Sequence, residues 1–331
     1  MLLRCQSAAA LAVLSVLSPL AQASVAERAA PTSQSPRPAQ LAPQRGALLG
    51  AWVDNVGHWV DEATAKAAVT RLEGQIGRKL DVDQHYYGWT DSFPTGLESW
   101  DAANGRIPLV SWGGTALGPV LSGAYDSMIR ARARSLRALD KPVFLRFGWE
   151  MNGNWSPYDG THANTPGTTD GPGKYIQAWR RIHSLFDAEG ATNVVWVWCP
   201  NATDVPAQPW NHWSRYYPGD AFVDWVGVDA YNWGTTHTWS SWTSLASTIS
   251  GIYADYGSRK PIMVAETAST EQGGDKSAWI RSLRSTLKTR FPSIAALVYF
   301  DQAKETSWQV DSSPPSLAAF RGLANDPYFN R

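Results

Sequence analysis

The chain has 331 residues, 44% hydrophobic and 18% charged, with 29 basic and 29 acidic side chains and a formal net charge of zero. Four arginines and one glutamate fall in residues 1–46, leaving 25 basic against 28 acidic groups beyond them. With no basic excess, neither a nucleic acid nor an anionic membrane is an expected partner.

Residues 1–23 read as a secretory signal: Arg4 gives a positive start, Ala8 to Leu20 is apolar, and Ala21-Gln-Ala23 fits a small-x-small cleavage site. Export to the extracellular or periplasmic space is therefore expected. Residues 24–46 are rich in Ala, Pro, Ser and Gln and cannot bury enough apolar surface to order themselves, so they read as a disordered linker. The folded domain is expected to span residues 47–331, large enough to be stabilised by its own core. Cys5 leaves with the signal, and Cys199, inside Val194-Val-Trp-Val-Trp-Cys-Pro, reads as a buried structural thiol.

From residue 47 onward, β-rich apolar runs alternate with helical periodicity. The expected strands are 48–53, 80–86, 107–111, 143–147, 194–198, 225–229, 262–265 and 296–300. Helices are expected at 62–76, 124–139, 174–188, 241–256 and 276–290, with a weak one at 95–104. Asp61 and Asp275 suit N-caps, and Gly190 and Gly257 suit helix C-ends. Eight continuously apolar strands with intervening helices predict a single (β/α)8 TIM barrel with strands covered on both faces. An open doubly wound sheet is the competitor, but no Gly-rich phosphate-binding turn is present.

Barrel active sites lie at the carboxyl ends of the strands. There the sequence places Asp54, His85, Trp112, Glu150, Trp198 with Asn201, Asp229 with Tyr231, Glu266, and Asp301 with Gln302. Two runs, Pro142 to Gly153 and Lys260 to Thr267, each end an apolar strand in a glutamate, which is costly to desolvate without a use. Paired carboxylates across a barrel mouth are what glycoside chemistry needs. Strand alternation puts Arg146 beneath Glu150, and puts Ile262, Val264 and Glu266 on one face. All 18 tryptophans lie between Trp52 and Trp308, and rigid rings at loop ends suit sugar C–H faces. Asp229 reads as an orienting residue for Tyr231 or a loop rather than a third catalyst. The six histidines form no metal-ligand spacing, so no metal or other cofactor is expected. The Asp/Gly-rich loop 158–173 hints at calcium but lacks an ordered acidic spacing, and reads better as a solvated subsite wall.

The run Arg146-Phe-Gly-Trp-Glu150-Met-Asn-Gly-Asn-Trp155, with Asp229-Ala-Tyr231-Asn, Ala265-Glu266-Thr and Trp308 after the last strand, resembles glycoside hydrolase family 26, the endo-β-1,4-mannanase family. The resemblance implies a barrel with catalytic glutamates on strands 4 and 7. It makes Glu150 the general acid/base and Glu266 the nucleophile, supported by Tyr231 and Arg146. Trp155, Trp198 and Trp308 would line sugar subsites, joined as substrate contacts by Trp149, Asn201 and Trp112, while His85, on a strand end, reads equally as a sugar contact or a core residue. Two positions depart from the family pattern, which usually has His where this chain has Trp149 and Gly113. The expected function is retaining endo-hydrolysis of β-1,4-mannan by a monomer acting on polysaccharide. Mixed-linkage β-glucan and β-1,3-xylan are the alternative substrates, and a non-catalytic glycan-binding barrel is the alternative class.

Overall fold

A computed structural model describes residues 41–54 and 61–329. The signal and residues 24–40 of the linker lie outside the described residues. The elements run β1 (Leu48–Asp54), α1 (Glu62–Ile76), β2 (Val82–Tyr87), α2 (Gly96–Ala103), β3 (Ile107–Trp112), α3 (Leu117–Ser122), α4 (Asp126–Leu139) and β4 (Val143–Phe147). They continue with α5 (Gly160–Ala163), α6 (Gly171–Ala188), β5 (Val194–Trp198), β6 (Trp225–Asp229), α7 (Leu245–Tyr256), β7 (Ile262–Thr267), α8 (Lys276–Arg290), β8 (Ile294–Gln302) and α9 (Pro314–Ala324). The strands pair in sequence order and β8 closes on β1, every pairing being parallel. This is the (β/α)8 barrel that the alternating pattern predicts.

Burial explains the continuous apolar runs. All seven residues of β1 and all nine of β8 are buried, because one face looks into the barrel and the other lies under helices. The interior holds Leu48, Val82, Leu109, Phe144, Val195, Val197, Met263, Ala296 and Val298. A larger cluster, including Trp112, Trp179, Trp196 and Trp198, fills the layer between strands and helices. Gly227 is a close approach: a Cβ there would lie 2.7 Å from that of Cys199.

Helix ends follow the expected caps. Asp61 accepts from the Thr64 amide and Asp275 from the Ala278 amide. The weakly expected second helix is secured by a capping box, in which Thr95 and Glu98 satisfy each other's amides. No described helix is long and apolar enough to cross a membrane.

Candidate active site

The fourth strand delivers Arg146 into the barrel and then leaves regular structure. Gly148 at φ +53° and Glu150 at φ +54° both adopt left-handed backbone. Glycine suits this at 148, where a Cβ would also lie 3.3 Å from the Tyr175 ring. At 150 a non-glycine residue holds the same conformation, secured by its amide donating to the Cys199 carbonyl at 2.8 Å. Simple alternation beyond Phe147 is therefore not what aims Glu150; the double left-handed turn is.

The seventh strand reaches the mouth by a different route. Ala265 lies in the interior cluster and Val264 in the outer one. Continued alternation from Val264 would send Glu266 outward, against the expected common face of Ile262, Val264 and Glu266. The pairing with β8 instead shifts register between Val264 and Thr267, and the β6 pairing shifts between Val228 and Asp229. A bulge of this kind re-aims a side chain, and Glu266 turns into the mouth.

There Glu266 is the focus of three donors. Arg146 Nη2 and the Tyr86 hydroxyl each reach Oε1 at 2.5 Å, and the Tyr231 hydroxyl reaches Oε2 at 2.7 Å. Arg146, fully buried, also donates through Nη1 to both oxygens of Asp229 at 2.9 and 3.0 Å and through Nε to Ser111 at 3.0 Å. Asp229 is thus the partner of Arg146, which corrects its expected role as an orienter of Tyr231.

Glu150 has different surroundings. Asn201 Nδ2 donates to Oε1 at 2.6 Å and Trp155 Nε1 to Oε2 at 3.0 Å. Burial, and then the nearby negative charge of Glu266, push its pKa up to about 7 despite those two donors. Trp155 therefore works against that elevation through its N–H, since the donated bond favours the ionised form. Trp149 lies beside the pair, 5.0 Å over the Arg146 guanidinium and 5.4 Å from the Tyr86 ring. The tip of its indole, Cη2, lies 3.9 Å from where a Cβ on Gly113 would sit.

The structure thus gathers Glu150, Glu266, Arg146, Tyr231, Asn201, Trp149 and Trp155 at one mouth. Trp308 is buried beside it, 5.1 Å from the Tyr231 ring, so it backs that tyrosine rather than offering an open face. Three expected contacts are not at the mouth. Trp112 stacks on Trp89 at 4.6 Å, and Trp198 packs edge-on against Tyr217 and Tyr256, both in the outer layer. His85 is buried behind the sheet, 2.6 Å from Asp101 and 3.8 Å from Asp83. Each sits one pleat out of phase: Ser111, Val197 and Tyr86 face inward, so their neighbours must face outward. Tyr86 and Asp229 are the functional groups missed or misassigned, and pleat parity counted from Val82 and Gln84 was the available signal for the tyrosine.

Among the described residues, Asp83, His85 and Asp101 bring ligand-type atoms within 4.8 Å of one another. Burial pulls the His85 pKa down, but Asp83 and Asp101 push it up to about 9, while burial also holds the Asp83 carboxyl well above its usual range. With Arg106 3.5 Å from Asp101, the group is a buried ion network. In the loop suspected of calcium binding, Asp159 accepts from the Ser156 and His162 amides, and Asp170 from Thr165 and Thr168.

A family model described as glycosyl hydrolase family 26 matches residues 110–249. Endoglucanase H of Acetivibrio thermocellus is 35% identical over 272 residues, covering 80% of this chain and 30% of that protein. The beta-1,3-xylanase TXYA of a Vibrio species is 28% identical over 225 residues, covering 61% of this chain and 43% of that protein. The chain thus spans less than half the length of either relative. Among solved structures, the Bacillus subtilis mannanase man26 superimposes with a TM-score of 0.59 at 19% identity, covering 86% of each chain, and this likeness concerns the fold.

Proposed function

Because the chain belongs to glycosyl hydrolase family 26, we propose that it is a retaining endo-β-glycanase with Glu150 as acid/base and Glu266 as nucleophile. The observation that carries this reading is the contrast between the two carboxyl groups. One is pushed up to about 7 by burial and by the other's charge, while the other accepts from a guanidinium and two phenols. In the first step Glu266 bonds the anomeric carbon, the glycosidic C–O bond breaks, and the Glu150 proton goes to the leaving oxygen. In the second, Glu150 takes a proton from water, whose oxygen displaces Glu266 with net retention. Arg146 and the two tyrosines hold the nucleophile oriented between turnovers.

For the substrate, the sequence places β-1,4-mannan first, with mixed-linkage β-glucan or β-1,3-xylan as the alternative. Two observations favour the glucan. A relative matched over most of this chain is named an endoglucanase. The two departures from the mannanase pattern also adjoin, the Trp149 indole lying beside Gly113. A bulky apolar ring there replaces the polar side chains expected around a mannose 2-hydroxyl.

The test is a reducing-sugar assay on barley β-glucan, glucomannan, galactomannan and β-1,3-xylan, with proton NMR of the first-formed anomer. Release from β-glucan with the β-anomer appearing first is expected, and its loss in Glu266→Ala. Release from galactomannan alone would return the substrate to mannan. An α-anomer formed first would overturn the retaining mechanism. Export through residues 1–23 belongs to the same proposal and is checked by N-terminal sequencing of secreted protein.

A further inference from the structure

The loop between β6 and α7 carries aromatic side chains that the hydrolytic steps do not use. Trp239 is 70% exposed, and the only other exposed large hydrophobic side chain among the described residues is Trp155 at the acid/base. One face of its indole lies against His237, with ring centroids 4.8 Å apart and planes 9° from parallel. Its ring also meets that of Trp233 at 5.6 Å, and Trp233 meets Tyr231 at 6.1 Å. Tyr231 in turn holds Glu266. An exposed indole therefore stands two ring contacts from the tyrosine that holds the nucleophile.

This loop is fastened rather than loose. Asn232 ties both its ends together, accepting from the Gly234 amide at 3.2 Å and the Thr243 amide at 2.9 Å, while donating to Ser269 at 2.8 Å. The Thr235 amide donates to the Gln272 carbonyl at 3.2 Å, and a Cβ at Gly234, φ +52°, would lie 1.9 Å from that same oxygen. The segment it is pinned to follows the strand that bears Glu266. A large apolar ring held in water on a rigid loop has its ordering cost met before any ligand arrives.

We infer that Trp239, backed by His237, is a distal glycan-binding platform. It stacks on the C–H face of a pyranose belonging to the same β-glycan chain that is cleaved, at least one sugar away from the scissile bond. Continuity with the mouth selects this occupant: the ring contacts run unbroken from Tyr231, which holds Glu266, through Trp233 to Trp239. The inference rests on the glycanase reading above and adds a chain-length dependence to it.

The experiment compares kcat/KM of wild type, Trp239→Ala and Trp239→Phe on a trisaccharide and a hexasaccharide of whichever β-glycan the wild type cleaves best. For Trp239→Ala the hexasaccharide-to-trisaccharide ratio should fall roughly five- to tenfold, mainly through KM, and Trp239→Phe should recover much of it. Thermal melts of all three proteins should coincide, since the ring packs into no core. A ratio unchanged in Trp239→Ala, with wild type active, overturns the platform alone. If wild type cleaves no β-glycan, the glycanase reading falls and the platform with it.

Discussion

Glu150, the acid/base proposed above, illustrates how little of a carboxyl group's behaviour resides in the residue type. Its carboxyl is pushed up to about 7 by burial first and by Glu266 second, while Asn201 and Trp155 pull the other way. The proton needed at the leaving group is present below that value and lost above it, so kcat/KM should fall as pH rises through about 7. Trp155→Phe removes a donor to the ionised form, which moves this alkaline limb to higher pH. A limb that stayed in place, in a full pH–kcat/KM profile, would show that the indole N–H does not set the acid's strength. Arg146, Glu150, Tyr231 and Glu266 were legible in the sequence because polar groups interrupt apolar strands there. Tyr86 was not, since His85 beside it looks equally suited until the pleat is counted.

At the scale of elements, helix boundaries follow local chemistry closely. The expected spans 62–76 and 276–290 are the observed α1 and α8, each with an aspartate accepting from the third amide beyond it. The short α2 depends more on its cap, because eight residues cannot sustain a helix by propensity. Thr95→Ala should cost about 1 kcal/mol, read as a shift of the urea midpoint; no shift would mean packing alone holds α2. The last helix, α9, was not anticipated, although Ser313 as N-cap followed by Pro314 and Pro315 is a readable start signal. Its approach loop is fastened by Lys276, whose ammonium donates to the Ser307, Trp308 and Gln309 carbonyls and to the Ser312 hydroxyl. Lys276→Ala removes a buried donor shared by four acceptors, of which the Trp308 and Gln309 carbonyls keep the Tyr299 hydroxyl and the Ser312 amide, and should destabilise by roughly 1–3 kcal/mol. Since Trp308 backs Tyr231, a drop in kcat should accompany it.

Across the whole molecule, closure of the barrel brings four strands to one guanidinium. Arg146 on β4 meets Ser111 on β3, Asp229 on β6 and Glu266 on β7. An isolated charge at such depth would be untenable, and two carboxylates offset it. Arg146→Met takes the guanidinium from Asp229 and from Glu266, which keeps only the Tyr86 and Tyr231 hydroxyls, and should cost roughly 3–5 kcal/mol, measurable by denaturant titration, together with hydrolytic activity. Retention of wild-type stability would show that Asp229 and Glu266 find other partners.

The sequence by itself determined the eight staves, most of the helices and their caps, and the two glutamates, because these follow from residue periodicity and from the cost of placing charge beside apolar strands. Tertiary structure alone decided which strand-end residues look inward. Trp112, Trp198 and His85 lie at strand ends yet face the helices, while Glu266 reaches the mouth only through a register shift and Glu150 only through a left-handed turn. A period of two makes every facing assignment reverse with a one-residue irregularity, and such irregularities are set by how neighbouring strands pair around the closed barrel.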